Sequence, residues 1–508
     1  MKVYRILIII VGIAVLLSIL TLKEKNEDIT IEAPITPIKA VDTSDEVVNY
    51  EEYSLTLDAE EPYINIMEFG AIPNDGLDDS ASINQAIIEA VNRGIKVIVL
   101  PSGELHISDT IILEHNISLM GSGDTNIIIL NELEALFDIT EVSHIKLCGI
   151  TIDNKNFKLH DIIYGVGAKA SEDVVIEHIH SSNGGRSFIY VKNIQNLSLS
   201  NNIIKDTSYR AMNIYNPNNL TIDSNSVDTN ASDFGINVEA GSVGVYEMKD
   251  VFITNNVVKN TEDGGITVRA LRNSMHSIII SNNKIINTGK AAIKATIEVG
   301  YENTSLYNIK IYENEINRFA NNYKEAGITV SDYNGKMNVY DAEVYNNTII
   351  GTGNSFYGMR FQGSKNIRVH NNTLKDGFLD SGILVENSKD IILENNLVQD
   401  SCIQKKANVI QGGVLLSMSE NCTLLGNTIK NNGTKSNPAI GILVYRTIKS
   451  EISNNYIFED LDEKSQKHAI YESDEGGSEN WSKENVFINN YLSDEGNIVI
   501  SERSVYKP

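Results

Sequence analysis

The chain has 508 residues, 42% of them hydrophobic, and carries a formal net charge of −25. That length is ample for a large core or several domains. The acidic balance disfavours nucleic acid, which needs a basic face against phosphate, and repels polyanionic sugars unless a local basic groove or bound cations offset it. Cys148, Cys402 and Cys422 show no C-x-x-C spacing and cannot all pair within one chain, so they read as small core residues.

At the N-terminus, residues 1–5 are short and basic, and residues 6–22 form a 17-residue run without a charge. With Lys2 and Arg5 held inside, an uncleaved membrane anchor places the body outside, at the cell surface. A cleaved signal peptide and a secreted body is the alternative. Residues 23–62 are acidic, contain Pro34, Pro37 and Pro62, lack sustained periodicity and read as a linker.

Residues 63–130 read as an N-terminal cap with the first coils. Asp79 or Ser80 can cap a helix whose apolar stripe is Ile83, Ala86, Ile87 and Ala90, and Gly94 stops it. Such a helix can plug the open hydrophobic end of a solenoid.

Residues 131–495 read as repeats, followed by a tail at 496–508. The phrase apolar-x-apolar-x-N-N-x-apolar recurs as LSLSNNII, IIISNNKI, AEVYNNTI and IRVHNNTL. Its second asparagine falls at 202, 225, 256, 283, 314, 347, 372, 396, 427 and 455, a mean period of about 28 residues. A further short strand follows each phrase, as in GINVEA, GITVRA, GMRFQG and GILVEN. Alternation points every second residue inward. Two or three parallel strands per turn predict an all-β, right-handed parallel β-helix, with asparagines hydrogen-bonding from coil to coil. Gly121, Gly149 and His178 occupy the first-asparagine place in weaker coils back to about residue 117.

The FGA-x-x-x-DG-x-x-D opening, the helix, the V-x-x-P-x-G strand and the Asn-rich coils over residues 64–495 resemble the pectin-lyase-like β-helix superfamily. That superfamily includes pectate and alginate lyases, polygalacturonase-type hydrolases, uronate epimerases, phage tailspikes and surface proteins, so the resemblance implies the fold and leaves the activity open. Polygalacturonases show N-T-D, D-D, G-H-G and R-I-K on successive coils. Here those places read Asp206-Thr207-Ser208, Ser232-Asp233, Asp263-Gly264-Gly265 and Ala292-Ile293-Lys294. One aspartate and the Ile-Lys remain. The D-P-H motif of the epimerases is absent.

Aligning the strands on G-I-x-V places Asn213, Asn237, Thr267, Lys294, Thr329, Arg360 and Leu384 in one outward column. Tyr215, Glu239, Arg269, Thr296, Ser331, Gln362 and Glu386 form a second. Tyr209, Asp233, Asp263, Lys290, Glu325, Phe356 and Asp380 precede the glycines by two. A groove is therefore expected over residues 206–362. The leading expectation is an exported lyase that cleaves a uronate-containing polysaccharide by β-elimination, with Lys294 or Arg269 as base and Arg360 among the clamping cations. Asp233, Glu239 and Asp263 are then candidate calcium ligands, and Asn213, Tyr215, Asn237, Glu239 and Gln362 candidate sugar contacts. Alternatives are a glycoside hydrolase using Asp233 and Asp263, one coil apart, and a non-catalytic surface protein that binds glycan or acts as a spacer.

Overall fold

The computed structural model describes residues 53–56, 61–154, 159–229, 233–241, 247–301, 303–319, 324–404, 410–460, 465–474, 482–492 and 497–507. The expected anchor and most of the linker lie outside them. The chain divides into two compact units, Met1–Asn49 and Tyr50–Pro508, and the description concerns the second. Among the described residues no helix is long and apolar enough to cross a membrane.

Each coil contains three strands. Met248–Thr254, Val257–Thr261 and Ile266–Ala270 make one turn. They pair in parallel with Met275–Ser281, Lys284–Thr288 and Ile293–Ile297 of the next. The phrase thus spans two strands with the Asn-Asn corner between them, and the G-I-x-V strand is the third. Along Met275–Ser281 the residues Ile278 and Ile280 are buried while Ile279 between them is not, as alternation requires. The glycine of G-I-x-V answers to close packing: a Cβ on Gly358 would sit 2.4 Å from Leu374 Cδ2, and one on Gly265 2.7 Å from the Ala292 carbonyl oxygen.

The two asparagines of the corner do different work. The first residue adopts the left-handed conformation, with φ of 54° at Asn282, 55° at Asn371 and 54° at Asn454. Asn tolerates this region better than most residues. Glu313 and Ser224 take the same conformation where the phrase departs from Asn-Asn, as does Gly426. The second asparagine points inward and stacks. From Asn202 to Asn455, each Nδ2 donates to Oδ1 of the asparagine one coil on at 2.9–3.0 Å. That Oδ1 also accepts the backbone N–H of the same residue, as in Asn314 N to Asn347 Oδ1 at 3.1 Å. The Nδ2 group donates back to a carbonyl of the preceding coil, as from Asn314 to Ile280 O at 3.0 Å. The ladder ends on Asn490, one rung past the last expected one.

The cap helix spans Ser80–Arg93 and buries Ile83, Ala86, Ile87 and Ala90, with Gly94 left-handed at its end. Asp79 stands at the N-cap without a side-chain capping bond. Its carboxylate instead accepts from Ile72 N and His106 N, and Asp78 Oδ1 accepts the Ser80 N–H at 3.1 Å. The helix is thereby tied to the first coils.

Both ends of the body differ from expectation. The tail is part of the stack: Ile498–Val499 and Val505–Lys507 pair in parallel with the preceding coil. At the other end, Tyr53 of the linker is docked. Its hydroxyl lies 3.4 Å from Cys148 Sγ and its ring 5.1 Å from that of His178. A Cβ on Gly149 would fall 2.1 Å from the Tyr53 ring. All three cysteines are buried and outside any disulfide.

Removing a ladder amide orphans several buried partners, each worth about 1–3 kcal/mol. Asn314→Ala should therefore cost roughly 3 kcal/mol or more, read as a lowered urea midpoint of the full-length protein. Glu313→Asn, beside it, relieves a left-handed glutamate and should shift the midpoint upward by no more than about 1 kcal/mol. Equal effects at the two positions would refute the division of labour.

Candidate functional site

The register of the G-I-x-V strands is the expected one. Asn213, Asn237, Thr267, Lys294, Thr329, Arg360 and Leu384 are successive partners, as are Tyr215, Glu239, Arg269, Thr296, Ser331, Gln362 and Glu386. The columns are not solvated, however. Thr267, Thr296, Thr329 and Ser331 are all 0% exposed. Aromatic rings and long cations roof them: Phe234 lies 5.4 Å under Arg210 and 4.9 Å under Arg269, and Tyr333 lies 5.2 Å from Lys294 Nζ and 5.9 Å from the Arg360 guanidinium.

Two groups of charges result. The first centres on Glu239, which is buried. Arg210 donates to Glu239 at 3.2 Å, to Asp233 at 2.5 Å, to Asn213 at 3.3 Å and to the Tyr215 hydroxyl at 3.0 Å. Asn237 donates to both Asn213 and Glu239 at 2.9 Å, and Arg269 donates to Asn237 and Glu239. Asn213, Asn237 and Glu239, expected to touch sugar, are thus an interior network, with Tyr215 half-buried at its edge. Arg269, expected as a base, is held there as a guanidinium.

The second group surrounds Glu325. Lys294 Nζ pairs with Glu298 at 3.1 Å, Lys290 with Asp263 at 2.7 Å, and Arg360 more loosely with Glu386 at 3.5 Å. Burial raises the Glu325 carboxyl above its ordinary range; Lys294 and Arg360 oppose the shift, and Asp263 and Glu298 reinforce it. Its Oε2 is buried without a hydrogen-bond partner. Tyr333 and Tyr357 are also pushed upward, first by burial.

Asp233 and Asp263 do not form a matched pair. Asp233 is drawn to Arg210 on the coil before it, and Asp263 to Lys290 on the coil after it. Among the described residues no group of three His, Cys, Asp or Glu side chains is placed to hold a metal. Arginine or lysine pairs with each of the three candidate calcium ligands: Arg210 with Asp233, Arg210 and Arg269 with Glu239, and Lys290 with Asp263.

Sequence reasoning passed over Arg210, Glu298 and Tyr333 and named Glu325 only as a band position. Glu325 sits two residues before a glycine like Asp233 and Asp263, so its place was readable. Its burial depends on what packs over it, which periodicity does not encode.

Residues 63–301 match the family model described as rhamnogalacturonase A/epimerase, pectate lyase-like. Residues 243–429 match the model described as right handed beta helix region. The fold is a parallel β-helix, and each of these two models matches less than half of the chain. No curated protein matches the chain. Among solved structures, the A-module of the mannuronan C-5 epimerase AlgE4 of Azotobacter vinelandii is 15% identical at TM-score 0.34, over 88% of this chain and 100% of that one. The Yersinia enterocolitica family 28 exopolygalacturonase is 13% identical at TM-score 0.44, over 87% and 80%. The catalytic unit of an α-1,3-glucanase from Streptomyces thermodiastaticus is 14% identical at TM-score 0.39, over 90% and 71%.

Deleting one partner of a buried charge network costs about 3–5 kcal/mol, because the remaining charge is uncompensated. Glu239→Ala strands Arg269, while Arg210 keeps Asp233, and should fall in that range in urea unfolding. A loss below about 1 kcal/mol would mean that the network is solvated, as exposed pairs are.

Proposed function

We propose that this chain is a carbohydrate-active enzyme that hydrolyses a glycan on the face formed by the G-I-x-V strands, with Glu325 as general acid. The observation that carries this is the Glu325 carboxyl, raised by burial and ringed by Lys294, Arg360, Asp263 and Glu298. Hydrolysis requires a carboxylic acid kept protonated beside one kept ionised. Asp263, bound to Lys290, supplies the ionised partner. Strand register places Asp263 and Glu325 two coils apart, about 10 Å along the stack by sheet spacing. That backbone spacing is nearer the carboxyl separation of inverting enzymes, about 6.5–9.5 Å, than that of retaining ones, about 5–5.5 Å.

In this reading Glu325 gives its proton to the glycosidic oxygen as the bond to the anomeric carbon breaks. Water attacks that carbon and loses a proton to the Asp263 carboxylate. Proton exchange with solvent then restores both groups. Elimination, which led the sequence reading, needs a cation free to neutralise a uronate carboxylate. Arg210, Arg269, Lys290, Lys294 and Arg360 each already hold a carboxylate. Of these Arg360 is the most loosely paired, with its Nε buried and unpartnered, and it is the residue on which an eliminative reading would rest. Export and attachment at the cell surface through residues 6–22 belong to the same proposal, supported by the uncharged run at that position.

Glycan panels followed by reducing ends and by ultraviolet absorbance separate the two chemistries. Reducing ends should appear without absorbance, and Glu325→Gln should lower kcat by about 10²–10⁴-fold. Absorbance that vanishes in Lys294→Ala would replace hydrolysis with elimination.

The pH profile has a defined sign. An acid must be protonated, so kcat/KM should fall as pH rises through the raised Glu325 pKa, and Glu325→Gln should abolish that limb. Stability follows the same direction. The protonated form suits the buried site, so its contribution is present at acid pH and is lost as pH rises past the folded pKa.

A further inference from the structure

A cavity of about 400 Å³ lies at the Asp332 end of the strand Ala326–Asp332, about 20 Å from Glu325 at its other end, and is bounded by Tyr333, Asn334, Met337, Gln362, Asn387 and Met418. We propose that it is a distal subsite for an uncharged sugar unit, hydroxylated or acetamido, which holds a glycan lying along the strand so that a bond several units away meets Glu325. The inference rests on the hydrolytic reading for its use and on the cavity's own chemistry for its ligand.

The lining explains the choice of ligand. Among the described residues that line the cavity there is no lysine, arginine or histidine, so a uronate carboxylate would find no countercharge. The one acid, Asp332, is 1% exposed. Its carboxylate accepts the backbone N–H groups of Asn334 at 2.9 Å, Lys336 at 3.2 Å and Asn338 at 3.1 Å. It is therefore committed to shaping the turn that forms one wall. That wall is tightly set. A Cβ on Gly363 would lie 2.4 Å from the Asp332 carbonyl oxygen, and Gly363 itself has φ of 58°. The polar groups left to meet a ligand are amides and a phenol, which recognise hydroxyls, while the thioethers of Met337 and Met418 supply an apolar surface for sugar C–H faces.

Two further observations point to an occupant. Gln362 Oε1 and Ser331 Oγ are register partners on adjacent strands, and both are buried with no hydrogen-bond partner. Unsatisfied buried polar atoms are rare in folded proteins and call for an explanation. Of the two residues Gln362 lines the cavity, and rotation of its side-chain amide would bring Oε1 to a sugar hydroxyl. Tyr333 connects the cavity to the chemistry: one side of its environment holds Lys294 and Arg360, Glu325 raises its pKa, and the ring also lines the cavity.

The test is titration calorimetry on the full-length Glu325→Gln protein, whose turnover the hydrolytic reading expects to be slowed about 10²–10⁴-fold. The ligands are neutral hexasaccharides of glucose, xylose and N-acetylglucosamine, with galacturonate and mannuronate hexamers for comparison. At least one neutral hexamer should bind, and Gln362→Ala and Asn387→Gly should each weaken it tenfold or more. Asn387→Gly keeps the left-handed backbone, φ 49° at Asn387, so it removes the amide without straining the fold. Absence of neutral binding, tighter binding of the uronates, or affinities unchanged in both variants would each overturn the subsite. If Glu325→Gln retains hydrolysis while both cavity variants lose affinity, the acid assignment falls and the subsite stands. In the otherwise native enzyme, Asn387→Gly should raise KM with little change in kcat.

Discussion

The structure depends on one repeated interaction, the amide ladder from Asn202 to Asn490. A parallel β-helix turns a corner three times in every coil, and each corner breaks the strand hydrogen bonds that would otherwise satisfy the backbone. Asparagine offers both a donor and an acceptor at a single inward position. Its Oδ1 takes the backbone N–H and side-chain amide from the coil before, and its Nδ2 reaches a carbonyl there. Every coil is thereby fixed in register to the next. The outward columns inherit that register, so residues 24 to 35 positions apart in sequence stand side by side. The site is a consequence of the ladder.

That dependence accounts for what could be read from the sequence. The Asn-Asn phrase and the G-I-x-V glycine each mark a fixed place on a coil, and alternation then assigns every neighbouring side chain a direction. The columns through Lys294 and Arg360 followed from counting alone. What counting could not supply is the state of each outward residue. Glu239 and Asn237 point away from the core yet are buried, because Arg210, Arg269 and Phe234 close over them. Arg210 engages Asp233 and Glu239 at sequence separations of 23 and 29. Such uneven spacings carry no periodic signal. Tyr53 was missed for a related reason: its slot is made by Gly149 and His178, which the sequence shows only as irregular corners.

Charge explains where along the stack chemistry can reside. The chain as a whole is strongly acidic, yet on the G-I-x-V face Arg210, Arg269, Lys290, Lys294 and Arg360 are each paired with a carboxylate. A carboxylate surrounded by such pairs experiences little net field, and burial then governs its proton. Glu325 meets this condition. Lys294 and Arg360 stand close enough to oppose its shift, but Glu298 and Glu386 already occupy them. Asp263 is the counterexample two coils away, since its salt bridge with Lys290 is direct. Two carboxyls on one face are thus separated by partner geometry rather than by residue type, the arrangement that acid–base hydrolysis uses.

The same balance bears on the substrate. A polyanion approaching this face meets cations already satisfied, on a molecule whose long-range field repels it. It would have to displace Glu298 from Lys294 or Glu386 from Arg360, exchanging one carboxylate for another with little net gain. A neutral glycan has no such competition. It needs hydroxyl-recognising groups and a shaped wall, which the Asp332-pinned turn and the amides of Gln362 and Asn387 provide. In the proposed reading, the charge pairing on the face and the cation-free lining of the cavity favour the same class of sugar.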